Sequence, residues 1–174
     1  MGHAASIKIR TYPLKIISIV GQSGSGKTTL IEKLLPMLHA AGLKVATIKH
    51  THHQVPLDTP GKDSWRLKQA GAMASMLVTP HAIQMVADYA EPHDPALLAQ
   101  RYFSDADLVL AESFSNASCP QIEVLRSACS ATPRCDDSLI ALVTDVETAH
   151  PHLPHFSLED IDGIVKFIVG QVRG

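Results

Sequence analysis

At 174 residues, with 45% hydrophobic and 18% charged residues, the chain has apolar material for one substantial core and falls within the size of one domain. A formal charge of -2 and a pI near 6.5 exclude a general attraction to nucleic acid or anionic lipid, so any anion must be bound by local geometry. No apolar run approaches the about 20 residues of a membrane span, no signal core follows a basic start, and the expectation is a cytoplasmic protein with neither a membrane nor a nucleic-acid partner. Cys119, Cys129 and Cys135 are odd in number and form no CxxC pair, which points to free thiols rather than a disulfide framework or a structural zinc site.

Residues 1–13 read as a leader or disordered segment. The first ordered element is the β-rich run Lys15–Val20. Behind it stands Gly21-Gln22-Ser23-Gly24-Ser25-Gly26-Lys27-Thr28, a complete phosphate-binding loop between a strand and a helix. Glycines let the backbone curl so that successive N–H groups point at phosphate oxygens, and the helix that follows adds the positive end of its dipole. Lys27 is the expected contact of the β- and γ-phosphates, and the Thr28 hydroxyl is the expected Mg²⁺ ligand. The assigned nucleotide contacts are Gly21, Ser23, Gly24, Ser25, Gly26, Lys27, Thr28 and Thr29, within a single P-loop domain spanning 14–174. The bland alternative, a Gly/Ser surface turn, leaves the flanking strand and helix unexplained.

From Lys27 the apolar residues Leu30, Ile31, Leu34, Leu35 and Leu38 recur at helical spacing until Gly42, with Pro36 predicting a kink. Lys44–Lys49 is a second strand, and the intervening helix implies that it pairs in parallel with the first through a right-handed crossover. At its carboxyl end, the edge where α/β sheets bind ligands, lies Lys49-His50-Thr51-His52-His53. Lys49 and His50 are assigned to phosphate or partner contact; a solvated loop and transition-metal ligation are the other readings. Asp58-Thr59-Pro60-Gly61-Lys62-Asp63-Ser64 reads either as a nucleotide-sensing switch, with Asp63 in the Mg²⁺ shell, or as a turn and capped helix start. Trp65 and Leu67 read as packing residues on a short helix from Asp63 to Ala70.

Met73–Thr79 and Ile83–Tyr89 are so close that a hairpin is the natural connection, an antiparallel element that a plain parallel sheet lacks. Asp94-Pro95 starts a helix running to about Phe103. Three short apolar strands follow, Asp107–Ala111, Gln121–Leu125 and Ser138–Val143, and a capping-box-like Ser157-Leu158-Glu159-Asp160 opens a last helix with an apolar stripe from Ile161 to Val172. Glu112, ending an apolar strand, is the expected carboxylate for Mg²⁺ or its waters; its alternative is a strand-end acid facing water. Lys27 and Glu112 are thus the candidates for any catalysis. The guanine-reading Asn-Lys-x-Asp is absent, yet Asp145, following Leu142-Val143-Thr144, could accept from guanine N1 and N2, or could be an ordinary loop Asp. The fold class expected is α/β: a three-layer P-loop NTPase fold with a mostly parallel sheet plus the hairpin.

The set GQSGSGKTTL at 21–30, IKHTHH at 48–53, DTPGKDSWRLKQAGA at 58–72, DLVLAES at 107–113 and LVTDV at 142–146 resembles the MobB family, molybdopterin-guanine dinucleotide biosynthesis protein B, in order from about Leu14 to Val172. The phosphate loop is generic; IKHTHH followed by PGKDS and AGA is specific. The resemblance implies a GTP-binding protein with weak GTPase activity and Mg²⁺, usually a homodimer whose hairpin strands pair across subunits. It implies an adaptor working beside the guanylyltransferase that attaches GMP to molybdopterin, with molybdopterin or molybdoenzymes as further partners. By position it supports Gly24 to Thr29 on the phosphates, Thr28 and Glu112 near Mg²⁺, and the Lys49-His50 loop at the active edge. The family typically follows its strand-end Glu with Gly, an aromatic and Lys, where this chain has Ser113, Phe114 and Ser115. The rival function is a P-loop small-molecule kinase, which needs an acceptor pocket, a base and usually an Arg-rich lid; only Arg66 and Arg101 lie mid-chain.

Overall fold

A computed structural model describes residues 14–90, 92–129, 132–133, 137–147, 150 and 152–174. The expected leader at 1–13 and the thiol of Cys135 lie outside the described residues. The chain forms two compact units, one built from residues up to His50 together with those from His93 onward, the other from Thr51–Pro92.

The first unit is built on six strands: β1 (Lys15–Val20), β2 (Val45–Lys49), β5 (Leu108–Glu112), β6 (Gln121–Leu125), β7 (Leu139–Thr144) and β8 (His155–Phe156). They run in the order β2-β5-β1-β6-β7-β8, and every pairing between them is parallel. β5 and β6 are buried along their whole length, as strands covered on both faces must be. On one face α1 (Lys27–Ala40) and α4 (Ile161–Arg173) bury Leu30, Leu34, Leu38, Ile164 and Ile168 against Ile17, Ile19, Leu108 and Leu110. On the other, α3 (Pro95–Tyr102) brings Ala99 to Val109, with Ile16, Ala46 and Ile48 packed alongside. Alternation along β1, β2 and β5 feeds both cores, giving the three layers expected.

Two sequence expectations are corrected here, and one strand is added. β1 and β2 are parallel but do not pair directly, because β5 inserts between them. β8 is a two-residue strand with no periodic signal of its own. α4 opens one turn after the capping-box-like serine: Asp160 is its N-cap, and the Asp160 carboxylate accepts from the Gly163 N–H. Asp94 caps α3 as its sequence suggests, accepting from the Ala96 N–H at 2.8 Å.

The second unit consists of α2 (Asp63–Gln69) and the hairpin of β3 (Ala74–Val78) and β4 (Ile83–Ala87), a separate antiparallel sheet. The pairing puts Met76 opposite Met85 and Val78 opposite Ile83, so these four share one face. All four are exposed, Val78 and Ile83 to 67% and 68%. On the opposite face Ser75 is buried, and Gln84 donates to the Leu57 carbonyl at 3.1 Å. No helix of the described residues is long and apolar enough to cross a membrane.

Candidate functional site

β1, β5 and β2 end at one edge of the sheet, and their register brings the site together. Glu112 stands opposite Ile19 on β1 and opposite Lys49 on β2. β1 runs directly into the loop from Gly21 to Gly26, where Gly21, Gly24 and Gly26 have φ of 138°, 79° and 95°. At Gly21 the constraint is also steric, since a Cβ there would sit 2.4 Å from the Val124 carbonyl oxygen of β6. Gly26 is the left-handed N-cap of α1 and has no side-chain cap, which leaves the first turn's N–H groups to an external acceptor.

Within this loop Lys27 is buried and its ammonium donates to the carbonyls of Gly21 and Gln22 at 3.0 and 2.7 Å. The loop is therefore cross-braced by the side chain assigned to the phosphates. Ser25 Oγ is buried without a hydrogen-bond partner, an uncompensated polar atom inside a loop shaped for an anion. Ser23, Gly24, Thr28 and Thr29 are exposed around it. The loop thus fits a phosphate chain in backbone shape, helix polarity and an unsatisfied hydroxyl.

Thr28 Oγ1 donates to Glu112 Oε1 at 2.8 Å. Lys49 Nζ lies 3.0 Å from the same Glu112 oxygen and 3.2 Å from Thr28 Oγ1. A hydroxyl and a carboxylate are the hard oxygen donors that Mg²⁺ takes beside phosphate oxygens and water, so this pair fits that ion. The structure thus joins Thr28, Glu112 and Lys49 in one cluster. His50 is half-buried at the same strand end: its N–H donates to the Glu112 carbonyl, its Nε2 lies 2.9 Å from His93 Nδ1, and its ring packs 5.2 Å from that of Phe114. Asp63 opens α2 in the second unit, where it is exposed and lies 3.8 Å from the Arg66 guanidinium.

Asp145 follows β7, and its two oxygens accept from the Ser127 N–H at 2.7 Å and the Ser127 hydroxyl at 3.2 Å. It ties the loop after β6 to the loop after β7, and its carboxylate keeps lone pairs for further donors. Arg126, which no sequence motif singles out, lines a cleft of about 120 Å³ with Ser25, Gly26, Thr29, Lys33 and Glu159 beside the phosphate loop. Its signal in the sequence is a cation directly after an apolar strand. Lys33 bonds Glu159 at 2.8 Å and holds that exposed carboxyl below its ordinary range.

The sequence model of the family described as "Molybdopterin guanine dinucleotide synthesis protein B" (MobB) matches residues 16–145. The chain belongs to the MobB family. It is 33% identical over 162 residues to the molybdopterin-guanine dinucleotide biosynthesis adapter protein of Escherichia coli, covering 90% of this chain and 92% of that one. It is 37% identical over 134 residues to the adapter protein of the same name from Haemophilus influenzae, covering 76% of this chain and 75% of the relative. The crystal structure of Bacillus subtilis MobB superposes with a TM-score of 0.73 at 28% identity, covering 92% of this chain and 99% of that one. These MobB relatives give the kinase alternative no support. In the turn after Glu112, Ser113 holds φ at 69°. This left-handed turn forms here without glycine, the residue that adopts it most easily.

Proposed function

We propose that this MobB-family chain binds GTP with Mg²⁺ and serves as an adaptor in molybdopterin guanine dinucleotide biosynthesis, hydrolysing the nucleotide slowly at most. The observation carrying the reading is the convergence of the braced phosphate loop with the Thr28–Glu112 oxygen pair at one sheet edge. In this reading the loop N–H groups, Ser25 and Lys27 hold the phosphates, while Thr28 and Glu112 hold the metal with Asp63 as a further candidate. Mg²⁺ would supply charge neutralisation across the phosphate oxygens. Glu112 is committed to Thr28 and Lys49 and is not placed as a free general base, which favours binding over fast turnover.

The adaptor role implies protein partners, and the guanylyltransferase that forms the dinucleotide is the partner proposed, with molybdopterin or a molybdoenzyme as further ligands. The open face of Met76, Val78, Ile83 and Met85 supports a homodimer formed through the hairpin. Calorimetric titration of the protein with GTP and with ATP in the presence of Mg²⁺ tests the nucleotide assignment. A clear preference for GTP that Asp145→Asn weakens is the expected result. Equal binding, or an ATP preference, contradicts it and returns the kinase reading.

A further inference from the structure

Three polar groups form a closed triangle at the carboxyl end of β5. The Thr28 hydroxyl, the Glu112 Oε1 and the Lys49 ammonium are separated by 2.8, 3.0 and 3.2 Å. The ammonium therefore sits against the same hydroxyl and carboxylate that would take Mg²⁺. We propose that Lys49 is a tethered cation holding the divalent-ion position, and that a divalent ion enters this site only by displacing it. The inference rests on the metal reading of Thr28 and Glu112.

The two lysines of the site are built for different tasks. Lys27 is buried and spans two carbonyls of its own loop, so its ammonium is positioned within the phosphate cradle. Lys49 has a side chain 60% exposed on a strand whose backbone register with Glu112 is independent of where its ammonium lies. It can swing into water without disturbing the core. Glu112, only 10% exposed in its side chain, needs a cation when ionised, because a neutral hydroxyl alone does not offset burial of a carboxylate.

An ammonium and a divalent ion cannot share this position. Mg²⁺ sits about 2.1 Å from its oxygen ligands, so an ion on Thr28 and Glu112 would stand close against an ammonium left in place, and the two like charges repel. A bare ion must then evict a charge that the chain itself supplies, whereas an ion arriving with a triphosphate brings further bonds to the phosphate loop that offset the eviction. The consequence is an ordered site: divalent metal is held weakly before the nucleotide and firmly with it.

Electron paramagnetic resonance of free Mn²⁺, titrated against the full-length protein with and without GTP, tests this directly. Without GTP, Lys49→Met is expected to bind Mn²⁺ roughly tenfold more tightly than the unmodified chain, about the effect of removing one charge-assisted bond. Lys49→Arg keeps a cation and should stay near the unmodified chain, and adding Glu112→Gln to Lys49→Met should erase the gain. A second readout is thermal: Lys49→Met should melt lower, and Mn²⁺ should restore its melting temperature more than it raises that of the unmodified chain. Equal Mn²⁺ affinity of the unmodified chain and Lys49→Met without GTP, with GTP recruiting Mn²⁺ to both, overturns the displacement and leaves the metal reading standing. Failure of GTP to recruit Mn²⁺ to the unmodified chain overturns the metal reading, and the proposal with it.

Discussion

In the sheet unit Ile19, Leu34, Leu108, Leu110 and Ile164 are fully buried, whereas in the hairpin unit α2 buries no residue and Met73 remains 80% exposed. Both units carry apolar strands, Leu108–Glu112 in one and Ala74–Val78 in the other; the difference lies in what meets their faces. β5 has helices over both of its faces, while β3 and β4 pack one face on residues 57–69 and present Met76, Val78, Ile83 and Met85 to solvent. The sheet unit is therefore finished as a core and uses its strand ends for ligands. The hairpin unit is left with an apolar face, which is what an association surface requires.

The contrast can be broken first at glycines. Gly21→Ala drives a Cβ into the Val124 carbonyl in a conformation closed to alanine, and should cost at least about 3 kcal/mol and abolish nucleotide binding. Gly61→Ala, in the hairpin unit, meets nothing within 4 Å and bears only the strain of φ at 85°, expected to be about 1–2 kcal/mol. Chemical denaturation of both variants checks the ranking, and equal losses would contradict it.

Next in size is the open hairpin face. If the proposed homodimer forms through it, Ile83→Asp should weaken self-association by roughly a hundredfold, the range for removing a central apolar side chain from an interface, and leave the monomer folded because Ile83 is exposed. Sedimentation across a concentration series measures it; an unchanged mass distribution would move the association surface elsewhere.

The phosphate loop, the strand-end Glu112, the capped start of α3 and the hairpin are all legible in the sequence, because each is written in residues adjacent along the chain. Strand order is not: the insertion of β5 between β1 and β2 depends on pairing Leu108 with both Val45 and Lys15, far apart along the chain, which no local pattern encodes. The same limit hides the partners of site residues. Motif position alone puts Lys49 at the active edge, but its bond to Glu112 follows from register, and the hold of Ser127 on Asp145 follows from two loops meeting after β6 and β7. At α4 the local signal is ambiguous, since Ser157 and Asp160 both suit an N-cap, and it is Asp160 whose carboxylate accepts from the Gly163 N–H.

Ser113 sharpens the comparison from inside the sheet unit. Ser113→Gly at this φ of 69° should stabilise the protein by about 1 kcal/mol without changing nucleotide affinity, read as a rise in denaturation midpoint. The smallest effect expected is alkaline. Burial pushes the Cys119 thiol above its ordinary value, with a lesser push from Asp94. The unfolded chain therefore ionises first as pH rises, and stability present below the ordinary thiol value is lost above it. Cys119→Ala should flatten that alkaline decline, and an identical pH profile would assign the loss to other groups.

The central claim is that the loop from Gly21 to Thr28 is a triphosphate site. Its most direct test is the affinity of Lys27→Ala for GTP with Mg²⁺, with circular dichroism showing that the variant is folded. A fall in affinity of about two orders of magnitude or more, the scale of removing a charge-assisted bond to phosphate together with the loop brace, is the predicted result. Full affinity retained in the folded variant would contradict the account.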